Sequence, residues 1–135
     1  MSLTPSGLPA VQDDEKTMAL LAHLCIFIPM APVLGPVILY FVKKDTSPFI
    51  AYHALQAAMF QAGFIAFSVI TYIVGMVLVS ILSVITFGLG GICGIVLCAI
   101  PLPIFIAIPY ALKAKNGEWT GYPLIGGVGM PAGMS

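Results

Sequence analysis

Charge is what this chain has least of. Only 7% of its residues are Asp, Glu, Lys or Arg, whereas a soluble domain carries about a quarter because its surface must face water. Five lysines balance five acids and arginine is missing altogether. Nucleic-acid binding needs a basic footprint to replace phosphate counterions, so nucleic acid is excluded as a partner. Between Lys44 and Lys113 the single charge is Asp45, which leaves Thr46 to Leu112 uncharged and largely apolar. A spanning helix needs about 20 such residues. This stretch holds at least two, and the chain reads as an integral membrane protein.

Other absences narrow the chemistry. No acid lies within the hydrophobic run, and Asp45 and Glu118 sit at loop edges among lysines. Neither paired carboxylates nor a nucleophile with its base can be assembled, so the chain reads as no enzyme, with no cofactor. Cys25, Cys93 and Cys98 have no CxxC spacing and lie among apolar residues, as small hydrophobes in packed helices. Met130 and Met134, between glycines and prolines, read as tail. His23 and His53 are the only histidines. If the first segment is one span, they lie near opposite ends of helices separated by about 30 Å, too far to share a metal. The expectation is that no metal is bound.

What remains is a sequence of helices and breaks. The polar tail 1–12 has no basic stretch and does not read as a cleavable signal peptide. Asp13, Asp14 and Glu15 suit the positive end of a helix dipole, so a helix begins near Asp13 and the hydrophobic segment runs from Thr17 to Val42. Pro29, Pro32, Gly35 and Pro36 break its middle. The sequence predicts one kinked span; the rival is a re-entrant hairpin returning Val42 to the side where Thr17 began. Lys43 to Pro48 is a loop in which Ser47 caps and Pro48 opens a second helix. That helix runs towards Gly75, and 76–87 either extend it or lie at the interface. Gly88, Gly90, Gly91 and Gly94 make the next turn. The last span, about 92–112, is interrupted by Pro101, Pro103 and Pro109 and closes with Lys113, Lys115 and a C-cap at Gly117. Trp119 and Tyr122 suit the headgroup layer, and the Gly/Met-rich tail 125–135 has no reason to fold alone.

The expected fold is therefore all-α, a transmembrane bundle over 13–124 with three spans; a four-span division leaves almost nothing for turns. Lysine-rich loops stay cytoplasmic, which places the Lys43/Lys44 loop and the C-terminus on that side. With a re-entrant first segment, both tails are cytoplasmic. At about 100° per residue, His53, Gln56, Phe60, Phe64 and Phe67 share a face, with Gln61 at its edge. Polar groups there serve as glue between helices, or as a patch for a client segment or hydrated cavity. Gly90 and Gly94 form a small-xxx-small pair, and Ala111 and Ala114 put small residues on the last helix, all suited to close helix packing.

Three stretches carry a family resemblance: EKTMALLAHL (Glu15–Leu24), GPVILYFVKKDTSPFIAYHALQAAMFQ (Gly35–Gln61) and ALKAKNGEWTGYPL (Ala111–Leu124). Together they resemble small bacterial membrane proteins of unknown function, distantly similar to the Tic-type subunit of chloroplast import and to magnetosome MamF-type proteins. Lys43, Lys44, Asp45, Ser47, Pro48, His53, Gln56 and Gln61 map onto the recurring motif. The resemblance implies a compact helical bundle in a bacterial inner or intracytoplasmic membrane, with no catalytic activity or cofactor. The expected role is an accessory, assembly or scaffold subunit whose partners are lipid and other membrane proteins or itself. A channel or translocation component is the alternative.

Overall fold

The computed structural model describes residues 10–29, 32–91, 94 and 102–131, and of 102–104 the backbone alone. These residues are helical, with no strand among them. The elements are α1 (Asp13–Leu24), a short 3-10 turn (Cys25–Phe27), α2 (Leu34–Lys43), α3 (Pro48–Ile85) and α4 (Leu102–Lys115). Two compact units result: Met1–Gln61 with Ile104–Ser135, and Ala62–Pro103.

The first unit differs from the kinked-span expectation. The prolines that were to kink one rod instead separate α1 from α2, and the two helices fold back on each other. Cys25 at the end of α1 lies against Gly35 at the start of α2; a Cβ there would sit 2.5 Å from the Cys25 sulfur. One shallow apolar groove between them is lined by Met18 in the middle of α1 and Val42 near the end of α2. At 1.5 Å per residue, the 12 residues of α1 extend about 18 Å and the 10 of α2 about 15 Å. A helix end leaves carbonyls unpaired, and two prolines in the connection make it cheaper to turn than to continue.

The ends of these helices follow local rules. Asp13–Glu15 open α1 as expected, and the Gln12 amide donates to the Glu15 carboxylate at 2.9 Å. Ser47 caps α3, its Oγ accepting from the Ile50 amide at 3.2 Å, and Pro48 is the first helical residue. At the other end of the unit, Gly117 (φ +81°) closes α4. The Glu118 amide donates to the Lys113 carbonyl at 3.1 Å and the Gly117 amide to Ala114 at 3.0 Å. That pair of bonds is a Schellman ending.

α3 does not stop near Gly75 but runs 38 residues to Ile85, about 57 Å at the standard rise. It is the one helix among the described residues long and apolar enough to cross a membrane. Its burial changes abruptly. Most residues from Phe49 to Gln61 are buried, and none from Ala62 to Ile85 is. In the second unit Gly90 and Gly94 are buried; a Cβ at Gly94 would run into Val79 of α3, and one at Gly90 into Leu82. Close approach to α3 is what those glycines permit. Of the expected third span, residues 92, 93 and 95–101 lie outside the described residues, as do Cys93, Cys98 and Met134.

Candidate functional site

The site lies inside the first unit, where α1, the start of α3 and the segment after α4 meet. α4 contributes a stripe of small residues: Ala107, Ala111 and Ala114 are buried, and Ala114 packs against Ala19 and Phe49. Ala22 of α1 packs against Ala54 and Ala57 of α3, beneath Leu39 and Tyr40. Alanine at each crossing lets backbones approach, and that closeness brings longer polar side chains into register. Ala111 and Ala114 are thus both buried on α4.

His23 and His53, expected about a membrane apart, are in contact. His23 Nε2 lies 3.2 Å from His53 Nδ1, and both residues are fully buried. The distance objection to a shared site falls with the kinked span, because the hairpin brings α1 alongside α3. His53 Nε2 is 2.9 Å from the Glu118 carbonyl, and His23 Nδ1 is 2.9 Å from the Tyr122 hydroxyl. A carbonyl only accepts, so His53 Nε2 carries hydrogen there and its Nδ1 accepts from His23 Nε2. His23 Nδ1 then accepts from Tyr122. One proton arrangement satisfies all three bonds with both rings neutral. Burial, together with the Tyr110 phenol, pushes the Tyr122 hydroxyl above its ordinary value, so it keeps the proton it donates. No group of three His, Cys, Asp or Glu placed to hold a metal occurs among the described residues.

Tyr122 itself was expected among headgroups. It is 2% exposed, stacked on Phe60 at 4.0 Å with the rings 4° apart, and beside Tyr110 at 4.2 Å. Nothing in its local sequence distinguishes a belt tyrosine from a core one; only the return of the chain over α3 does. Trp119 sits edge-on to Phe49 at 5.1 Å.

Gln56 and Gln61 are spent internally. Gln56 Nε2 donates to the carbonyls of Ile125 (2.7 Å) and Val128 (2.8 Å), and its Oε1 accepts from the Tyr122 amide at 3.3 Å. Tyr52 adds a 2.7 Å bond to the Gly126 carbonyl. The tail, which had no reason to fold alone, is folded by α3 from Ile125 through Val128. Gly121 allows it: a Cβ there would meet the Tyr52 hydroxyl at 2.5 Å and Gln56 Oε1 at 2.8 Å. Gln61 Nε2 reaches the Ala22 and His23 carbonyls at 3.2 and 3.4 Å, capping the end of α1. Its Oε1 is buried and without a partner among the described residues.

That asymmetry yields an expected result. Replacing Gln61 by leucine removes two long bonds but also an orphaned acceptor, so the net loss is about 1 kcal/mol or less. Thermal unfolding in mild detergent measures it. A loss as large as that of the Gln56 variant described below would refute this account of Gln61.

The charged residues gather at one end of the unit. Lys16 pairs with Asp13 at 2.9 Å, which holds the Asp13 carboxyl below the usual range. Ser47 donates to Glu15 at 2.5 Å, tying the start of α1 to the start of α3. Lys44 pairs with the adjacent Asp45 at 2.9 Å, both exposed, and this raises the Lys44 ammonium. Lys16 lies against Gly117, where a Cβ would sit 3.3 Å from its Cε, beside Lys113, Lys115 and Glu118. The five lysines and five acids of the whole chain are thereby all at this end.

Fold and site define a class: a small all-helical protein with an apolar exterior, one charged end and a neutral polar core that fastens its own helices. Residues 14–128 match the model of the MamF/MmsF family, described as the magnetosome magnetite crystal formation protein family. The chain belongs to that family, which bears out the MamF-type part of the resemblance and extends it beyond Leu124 into the docked tail. No curated protein and no solved structure matches it.

Proposed function

We propose that the chain is a non-enzymatic integral membrane protein, acting as an accessory or assembly subunit in the crystal formation for which its family is described. The observation that carries this is the segregation of charge. Every charged side chain stands at one end of the first unit, while the rest of the described exterior is apolar. The lysines at that end support a cytoplasmic position for it. α3, the one described helix long and apolar enough to cross a membrane, leaves it and the chain is back at it by the end of α4, while α1 and α2 dip in and out from the same side. The opposite side then carries no carboxylate and no lysine. It offers nothing to bind a metal ion or a mineral face through charge, so the contribution is made through contacts within the membrane. The histidine chain is neutral and closed on the protein's own carbonyl and hydroxyl, without a nucleophile to activate.

Its partners are lipid and other membrane proteins, including further copies. The exposed apolar length of α3 beyond Gln61 supports association of this kind. Mass measurement of the purified protein in native detergent is expected to give an assembly larger than one chain, alone or with a co-purifying membrane protein. A stable, uniform monomer that retains no partner from the native membrane refutes the assembly role. The conducting alternative loses its motive, because Gln56 and Gln61 are bonded to the chain's own carbonyls.

A further inference from the structure

We infer that the pocket between the end of α2, the start of α3 and the docked tail is a binding site for the phosphate headgroup of an anionic phospholipid. This rests on the membrane reading above and names one lipid partner and its place on the chain.

Three walls make the pocket, and all belong to the first unit. α2 supplies Tyr40 and Lys44, one turn apart and so on one face. α3 supplies Pro48, Ala51 and Leu55, a stripe at helical spacing that runs about 10 Å away from the charged loop. The tail supplies Gly129, which reaches Leu55: a Cβ there would sit 2.8 Å from the leucine Cδ2. The space enclosed is about 210 Å³. Sites that engulf a whole drug-sized ligand run from about 300 Å³ upwards, so this one suits a headgroup and not an entire lipid.

The chemistry divides between rim and floor. At the rim is the Lys44 ammonium, raised chiefly by Asp45 and in the same direction by the Tyr40 phenol, which puts that phenol near it. Asp45 takes the ammonium through bonds of 2.9 and 3.2 Å, and both side chains are exposed, 41% and 79%. Such a pair is held weakly, and an ammonium has three hydrogens to give. A phosphate can therefore join it without displacing the carboxylate. Glu15, the acid joined to Ser47, also accepts from the Gln12 amide and does not line the pocket. Below the rim the α3 wall is proline, alanine and leucine, which suits the glycerol carbons beside a lipid phosphate and gives a free phosphate ion nothing. A polar rim over an apolar floor, at the end of the unit where the charges gather, selects the lipid over the ion.

The test follows the fluorescence of Trp119, the sole tryptophan, whose ring lies 5.6 Å from that of Tyr52, a residue that also lines the pocket. Full-length protein in dodecyl maltoside is titrated with dihexanoyl phosphatidylglycerol, dihexanoyl phosphatidylcholine and inorganic phosphate. A saturable change is expected with phosphatidylglycerol, about fivefold tighter or more than with phosphatidylcholine, the scale of one lysine acting on an anionic lipid. Inorganic phosphate is expected to leave the signal unchanged. Lys44→Gln should remove the preference, and Ala51→Leu, which fills the pocket and leaves the charge alone, should remove the binding. Lys115→Gln should change neither. Thermal midpoints report whether each variant is folded; if Ala51→Leu is not, Lys44→Gln alone decides. The site is overturned by the absence of a saturable change, by equal affinity for the two lipids, or by phosphate matching the lipid. Equal loss at Lys44 and Lys115 overturns it too, as does native binding by folded Ala51→Leu. Protein that stays folded and dispersed without any detergent would sink the membrane reading itself, whatever the titration gives.

Discussion

Replacing Gln56 by leucine is expected to release the segment after α4 from the core. The glutamine amide holds three backbone groups of that segment, at Ile125, Val128 and Tyr122. Leucine fills nearly the same space and offers none of these bonds, so the Val128 carbonyl and the Tyr122 N–H lose this partner while the Ile125 carbonyl keeps the Val128 amide. A buried polar group left unmade costs about 1–3 kcal/mol, and with the two carbonyl bonds part-buried the whole change should cost about 2 kcal/mol or more. Two measurements check this. The thermal midpoint in mild detergent falls, and trypsin cleavage after Lys113 and Lys115 accelerates as the Schellman ending loses the chain beyond it. A variant with native melting and native digestion would mean that the tail does not dock on α3.

The second large effect is expected at the paired histidines. His53→Ala strands the His23 ring N–H and the Glu118 carbonyl and leaves a cavity beside Phe49, whose ring lies 4.6 Å from that of His53. Lost bonds and lost volume together should cost about 3–5 kcal/mol. Tyr122→Phe removes a single donor and should cost about 1–2 kcal/mol. Because one bond joins the rings, the losses for His23→Ala and His53→Ala should not add. A double-mutant cycle is expected to give about 1 kcal/mol or more of coupling. Additive losses would show that the rings do not touch, and the hairpin would then have to be redrawn as the kinked rod.

These two results bear on how α1 is held. His23 sits near its end and Gln61 caps the carbonyls beside it, so polar bonds to α3 hold the hairpin in place. A water-filled site would exchange those bonds for solvent at little cost. Loss of the histidine–tyrosine bonds leaves buried groups unmade, so these specify the fold strongly, whereas Gln61 adds about 1 kcal/mol or less.

By itself, the sequence determined everything governed by neighbours along the chain. The acidic start of α1, Ser47 and Pro48 opening α3, and Gly117 ending α4 are local matters of capping and φ. Each is where its residues put it.

Only the tertiary structure decided what the prolines between α1 and α2 would do, because a break in a helix fixes no direction for the chain that follows. Pairing of His23 with His53, entry of Tyr122 into the core and capture of the tail by Gln56 all depend on that turn. They join residues 30 to 99 positions apart, and no period or spacing in a single sequence encodes such a distance. The hairpin chose the partners, and the side chains, already polar and already apolar at the right places, closed on whatever the backbone brought near.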